Sequence, residues 1–135
     1  MGEFITLAAL LDLGWKAGHA PMDGVDVIAW SGDNDFMRVQ VKSARLRKQR
    51  DRGALTYHHQ LGSGRDKKTR PDHRVYDILA RVAIDQRKVY FTAACRINKL
   101  SERRSPEFFD KPYLEETSWE KAVAIVMEMR RNGLV

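Results

Sequence analysis

Two short runs with the composition of β-strands, joined by a turn sequence, most constrain how this chain can fold. The first run, VDVIAW at 25–30, is apolar and contains three β-branched residues. The turn sequence SGDND and the alternating run FMRVQVK follow it directly. The pattern predicts an antiparallel hairpin whose second strand carries Arg38, Gln40 and Lys42 on one face, with apolar residues on the other.

The rest of the sequence predicts a helix near each end of the chain and further strands between them. Apolar residues at helical spacing predict a first helix over 3–13, which Gly14 ends. The last helix is predicted from the capping-box spacing of Thr117 and Glu120, followed by an apolar stripe. The other assignments are a connection at 15–23, a third strand at 54–61, a second hairpin from strands at 75–84 and 88–94, and a long surface excursion at 101–116.

The length and composition are typical of one globular domain. The chain has 135 residues, which suits a single domain, 1–135, that can bury a core without disulfides or structural metal ions. Glu3 and Asp12 interrupt the apolar start of the sequence, so we expect an amphipathic helix there rather than a signal peptide. No apolar run approaches the roughly 20 residues that span a bilayer, so no membrane association is expected. Cys95 is the only cysteine, which rules out an intrachain disulfide and favours a reducing, cytoplasmic location.

The charge balance favours a phosphate-rich partner. The net charge is +6, and a basic surface binds nucleic acid through counterion release, although ribosomal and membrane-surface proteins share this property. Much of the basic charge lies in a run at 45–52, directly after the second strand, and in a loop at 62–71. The basic run could instead be an ordinary solvated face, and the loop could be either a disordered hairpin tip or a loop that closes on DNA. The residues that we expect to contact DNA are Arg45, Arg47, Lys48, Arg50, Arg52, Lys67, Lys68 and Arg70.

A group of polar residues at the hairpin suits phosphodiester hydrolysis. A divalent ion can activate water and stabilise the charge of the transition state, and hard ions such as Mg²⁺ prefer oxygen ligands. Asp26, the side chain of Gln40 and the backbone carbonyl of Val41 could supply such ligands. Glu3 could bind a second ion or hold a water molecule. Lys42 could orient the attacking water or stabilise the phosphate charge.

These residues resemble the PD-(D/E)xK nuclease superfamily. The resemblance lies in Gly2-Glu3, in DVIAW beginning at Asp26 and in VQVK ending at Lys42, and it extends over about two-thirds of the chain. It is nearest to small variants with Gln at the acidic position and Gly-Glu on the first helix. It implies an α/β fold with a mixed central β-sheet flanked by helices, and magnesium-dependent DNA cleavage in which Mn²⁺ substitutes. It assigns Asp26 to the motif aspartate, Gln40 to the Asp/Glu position, Lys42 to the lysine and Glu3 to the helical glutamate.

The sequence departs from that pattern in three ways. Gln40 removes a negative charge, which would lower metal affinity. The proline that precedes the family's aspartate is absent, because Pro21 lies five residues before Asp26. Asp23 is therefore a rival for the motif position, and we favour Asp26 because the strand continues directly from it. The helix that the family usually inserts after the third strand is not recognisable.

Each candidate residue also has a structural explanation. Glu3 could complement the helix dipole, Asp26 could be a turn residue, and Lys42 could keep a strand edge soluble. The adjacent His58 and His59 would face opposite sides of a strand, so they do not suit one metal site.

Length, charge and the helical glutamate also resemble the archaeal and phage Holliday junction resolvases of the superfamily. We therefore expect a homodimer that cleaves four-way or other branched DNA, encoded by a bacterium, an archaeon or a phage. One alternative is a sequence-specific restriction or homing-type endonuclease, which the small size disfavours because reading bases needs extra elements. Another is a DNA-binding module with a degenerate site.

Overall fold

Five of the strands form one mixed sheet, in the order β1-β2-β3-β6-β7. The computed structural model describes residues 1–32, 35–48, 53–62 and 69–133. The elements are α1 (Gly2–Asp12), β1 (Lys16–Met22), β2 (Val25–Ser31), β3 (Asp35–Ala44), β4 (Arg47–Lys48), β5 (Leu55–Gln60), β6 (Ile78–Ala83), β7 (Lys88–Ala93), a 3₁₀ helix (Ala94–Arg96), β8 (Ser101–Arg104), α2 (Pro106–Phe109) and α3 (Leu114–Arg131). β3 and β6 are parallel, and the other neighbours are antiparallel. Both predicted hairpins, β2–β3 and β6–β7, are confirmed.

The crossover between the parallel strands β3 and β6 contains strands where the family's usual helix was expected. Parallel neighbours need a long connection, which is most often helical. Here it contains β4 and β5, which join β8 in a separate three-stranded sheet of order β4-β5-β8. We call this small sheet the ribbon. The helix that the family resemblance implied does not occur in the described residues of this connection, 45–48, 53–62 and 69–77.

The five-stranded sheet is covered on both faces. α1 and α3 pack on one face, where Leu10, Val39 and Trp119 belong to the largest apolar cluster. The ribbon and α2 cover the other face through a second cluster that contains Tyr57, Ala83 and Phe109. The predicted fold class, an α/β arrangement with a mixed central sheet and flanking helices, is confirmed.

An ion-pair network ties β3, β6 and α3 together at the end of the sheet away from the ribbon. The buried Asp77 carboxylate accepts hydrogen bonds from the backbone N–H of Arg38 at 2.7 Å and from the Arg38 guanidinium. Arg130 of α3 also donates to Asp77, at 3.3 Å. A buried carboxylate is stable only when its lone pairs are satisfied in this way, so the network fixes β3 against β6.

Two local assignments from the sequence were wrong. The segment at 15–23, predicted as a connection, forms the edge strand β1. Pro21, which has no backbone N–H, is tolerated there because an edge strand does not need every backbone donor. The excursion at 101–116 contains β8 and α2.

The start of the last helix was also misplaced. α3 begins at Leu114, after Tyr113 in a left-handed conformation with φ 60°. The N–H of Thr117 donates to the carbonyl of Tyr113 at 2.9 Å, which is an ordinary helical bond. Thr117 and Glu120 therefore lie inside the helix and do not cap it. None of the helices in the described ranges is long and apolar enough to cross a membrane.

Candidate active site at the fork between β2 and β3

The predicted site residues surround a point where two paired strands separate. β2 and β3 pair from Ser31 opposite Asp35 to Val27 opposite Val39. β3 then continues beside β6 as far as Ala44. In the described part of these strands, the edge of β3 that faces β2 is therefore open beyond Val39, and we call this opening the fork.

Asp26 closes part of the fork and shows how the backbone of β3 is oriented there. Its Oδ2 accepts a hydrogen bond of 2.7 Å from the backbone N–H of Val41. The N–H and C=O of one strand residue point to the same side of the strand. The Val41 carbonyl therefore also faces the fork, beside the Asp26 carboxylate, so the structure brings these two predicted ligands together.

Gln40 adds a third oxygen to this region. Because Val27 lies opposite Val39, the next pair outward, Asp26 and Gln40, shares the opposite face of the sheet. The Gln40 Oε1 atom is buried and accepts no hydrogen bond from any described group. A buried acceptor without a partner is costly, and such an atom is what an amide ligand to a cation would present.

Lys42 lies two residues further along β3, on the same face as Gln40, and is half-buried. In the parallel register it lies beside Arg81 of β6, a buried residue whose guanidinium pairs with Glu102. Glu102 also pairs with Arg104 at 3.0 Å. Burial raises the pKa of Glu102, but the two arginines outweigh it and hold the pKa below its usual range. The Arg81 charge is thus compensated by a carboxylate that stays ionised.

Glu3 lies at the start of α1, which packs against the Val41 and Ser43 side chains of β3. Gly2 lies so close to β3 that a Cβ atom there would be 3.3 Å from Val41 Cγ1. α1 therefore begins directly over the β3 residues of the fork. The hydrogen bond that Glu3 makes in the described structure is to His19 of β1, with 3.2 Å between Oε1 and Nδ1. Both side chains are about half exposed.

His19 was missed by the sequence analysis because its segment was taken for a connection. Its neighbours Gly18 and Pro21 are turn formers, and the exposure along β1 does not alternate regularly. Its contact with Glu3 joins residues 16 positions apart. A lone histidine gave no signal that could have identified this contact.

Asp23 and the predicted DNA-binding residues lie around the fork rather than in it. Asp23 is exposed in the turn between β1 and β2, whereas Asp26 is half-buried in β2. Arg45, Arg47 and Lys48 are exposed directly after β3, and Arg70 is exposed at the start of another loop. The other predicted contacts, Arg50, Arg52, Lys67 and Lys68, lie outside the described residues.

The oxygen atoms at the fork fit a hard divalent ion better than a softer one. Within the described ranges, no three His, Cys, Asp or Glu side chains come together as a metal site. The fork instead combines one carboxylate, one amide oxygen and one carbonyl. This all-oxygen set suits Mg²⁺, which retains several waters and needs few protein ligands. The set carries one negative charge, that of Asp26.

Comparison with known proteins supports the fold. The sequence matches no family model and no curated protein. The structure is similar to that of I-Ssp6803I, a bacterial homing endonuclease, with a TM-score of 0.64 and 13% sequence identity over 96% of this chain and 93% of that one. This chain therefore shares the fold of that homing endonuclease over nearly its whole length.

Proposed function

We propose that this protein is a magnesium-dependent endonuclease that cuts duplex DNA at preferred sequences, with its active site at the fork. The observation that carries the proposal is the buried Gln40 Oε1, which has no described partner; Gln40 shares a face of the hairpin with Asp26 and precedes Val41 in β3. A divalent ion bound at this open strand edge would satisfy the amide oxygen. Stability alone gives no reason to bury an unpaired amide oxygen there.

Each residue at the fork has a distinct role in this proposal. Asp26, Gln40 and the Val41 carbonyl hold the ion, which when bound supplies charge stabilisation and lowers the pKa of water. Lys42 projects from the same face as Gln40 and donates to a phosphate oxygen or to the attacking water. Glu3 accepts a proton or orients a water molecule, and His19 fixes its carboxylate. Arg45, Arg47 and Lys48 contact phosphates along the adjoining strand.

The choice of duplex substrate has separate support. I-Ssp6803I, whose fold this chain shares over 96% of its length, is a homing endonuclease. The prediction of a Holliday junction resolvase was based on length, charge and the helical glutamate. Each of these features suits a homing-type endonuclease equally well. A two-fold homodimer would serve either substrate, because it presents two active sites for two nicks. We therefore keep the dimer as part of the proposal and the junction as the competing substrate.

Cleavage assays with matched variants test the site. Asp26→Asn and Lys42→Ala are expected to lower single-turnover cleavage by at least about 100-fold with Mg²⁺ present. Asp23→Asn is the control for Asp26, because Asp23 is exposed in the turn, and Lys121→Ala on α3 is the control for Lys42. Both controls should cut at the parent rate. If Asp26→Asn cuts normally, or Asp23→Asn does not, the fork is not the active site.

A substrate panel tests what the enzyme cuts. Linear duplexes from a random library and four-way junctions with the same arm sequences are compared at equal concentration. We expect specific cuts in a subset of duplexes and no preference for the junction. Paired symmetric nicks in the junction, with linear duplex left intact, would replace the homing-type proposal with the resolvase. An absence of cutting on every DNA, with Mg²⁺ and with Mn²⁺, would refute both.

A further inference from the structure

The outer face of the three-stranded ribbon, β4-β5-β8, consists of polar and basic side chains. β5 and β8 pair antiparallel, with His58 opposite Arg103 and Gln60 opposite Ser101. Directly opposite residues share a face, and all four of these side chains are exposed. Arg47 of β4 lies opposite Thr56 and extends the same face.

The opposite face of the ribbon is buried and holds it rigidly on the large sheet. Tyr57 and His59 are fully buried, and Tyr57 packs edge-on against Phe109, with 5.2 Å between ring centroids. His59 Nε2 donates to the Val82 carbonyl at 3.0 Å, and burial lowers the pKa of His59, which keeps the ring neutral. The outer side chains therefore project from a fixed support.

Among the described residues of β4, β5 and β8, the outer face carries hydrogen-bonding groups and positive charge, and no acid. All six of its side chains can form hydrogen bonds, and two of them are arginines. The acidic residue in these three strands is Glu102, which faces inward and pairs with Arg81 and Arg104. The chain has 18 acidic residues, so a face without one favours a negatively charged partner over plain solvation.

We propose that this ribbon face enters the major groove of duplex DNA and reads its base sequence. The groove is about 12 Å wide and admits a two-stranded β-ribbon. Arg pairs in bidentate fashion with guanine and Gln with adenine, so Arg103 and Gln60 are the main readers on this face. The inference rests on the proposed endonuclease function and supplies the base-reading element that the sequence analysis did not find.

The position of the ribbon along the chain suits this role. β3 ends at Ala44, and β4 begins at Arg47. The strand that carries Gln40 and Lys42 therefore runs within two residues into the strand that borders the reading face. A duplex bound on the ribbon would lie beside the fork, and base recognition would set the position of the cut.

Selection of binding sites from a random duplex library tests the inference. The protein is used in EDTA, which removes divalent ions and prevents cutting, and bound duplexes are sequenced. We expect the parent to select a defined motif. Arg103→Lys keeps the charge but loses the planar guanidinium that pairs with guanine. The preference of this variant for the parent base should therefore fall by roughly 5- to 150-fold at one or two positions of the motif. Gln60→Ala should relax a different position to a similar degree.

Arg131→Lys is the matched control, because Arg131 is exposed on α3, on the other side of the large sheet. It should select the parent motif unchanged. Circular dichroism and thermal melting of each variant show that the fold is intact, which these exposed positions should permit.

The outcomes separate this inference from the proposed function. If the parent cuts DNA with Mg²⁺ but selects no motif, or if both ribbon variants keep the full parent motif, the reading face is refuted and the endonuclease stands. If the parent cuts nothing but the ribbon variants relax its selected motif, the reading face stands and the endonuclease falls. If Arg103→Lys keeps the motif and only Gln60→Ala alters it, the assignment of Arg103 is refuted.

Discussion

Gly2→Ala tests whether the start of α1 must lie close to β3. A Cβ atom added at Gly2 would be 1.8 Å from the Ser43 hydroxyl oxygen, 3.2 Å from Ser43 Cβ and 3.3 Å from Val41 Cγ1. The hydroxyl can rotate away because Ser43 is exposed. The two carbon contacts remain, and they are shorter than the roughly 3.5–4.0 Å at which carbon atoms attract. The start of α1 must therefore lift by a few tenths of an ångström.

The two consequences of this shift differ in size. Alanine is a better helix former than glycine by about 1 kcal/mol, which offsets much of the steric cost. The free energy of unfolding should therefore change by less than about 1 kcal/mol. Glu3 adjoins Gly2 and moves with it, and a misplacement of 1 Å can cost about 100-fold in rate. A shift of a few tenths of an ångström should lower cleavage by roughly 3- to 10-fold.

Single-turnover cleavage and urea denaturation measure the two effects on the same preparations. Ser43→Gly removes the two closest contacts, so adding it to Gly2→Ala should restore most of the rate. Gly53→Ala is the control, since a Cβ atom there meets nothing within 4 Å. The reasoning is refuted if Gly2→Ala cuts at the parent rate, or if Ser43→Gly fails to rescue a slow Gly2→Ala enzyme that is folded.

Four further predictions address other parts of the molecule. Gln40→Glu adds a carboxylate at the fork and should lower the Mg²⁺ concentration for half-maximal cleavage several-fold, whereas an unchanged titration would exclude Gln40 as a ligand. His19→Ala should lower kcat with little change in KM, and His19→Asn, which places a donor at the position of Nδ1, should restore it; a change in KM alone would contradict a positioning role. Burial lowers the pKa of His59, so its contribution to stability is complete above about pH 6.5 and is lost as the pH falls, by up to about 1.4 kcal/mol per pH unit. His59→Gln should flatten the pH dependence of urea unfolding between pH 7 and 5, and an equal slope in parent and variant would count against it. Glu102→Gln leaves the buried Arg81 charge without its main partner and should destabilise by about 3 kcal/mol in urea denaturation, and a loss below about 1 kcal/mol would mean that Thr92 and the Tyr90 ring already accommodate the charge.

The hairpin at the fork was predictable because its information is local. Alternation along FMRVQVK fixes which side chains share a face, and the turn sequence fixes that the two strands pair. Together they placed Asp26 near Gln40 before any tertiary contact was known. The β6–β7 hairpin was predictable for the same reason, although β6 is buried along its whole length.

What the sequence did not reveal depends on partners far along the chain. β1 is a strand because β2 offers it an edge, and no alternation of its own marks it. The contact between Glu3 and His19 depends on that pairing. The ribbon also depends on a distant partner, because β5 pairs with β8 more than 40 residues later. The reading face could not be assembled from the sequence, since its halves lie at 56–60 and 101–103.

The fork is a departure from what stability alone would select. Continued pairing of β2 with β3 would give the Val41 N–H and C=O backbone partners, yet here the N–H is bound by the Asp26 carboxylate and Gln40 Oε1 has no described partner. An unsatisfied buried acceptor costs about 1–3 kcal/mol. The network of Arg38, Asp77 and Arg130 lies in the paired part of the same strands, two residues before Gln40, and fixes β3 against β6. The sheet is thus held firmly directly before the fork and left open beyond it. Local rules broken beside a reinforced scaffold are characteristic of functional sites, and this is the structural argument for placing the chemistry at the fork.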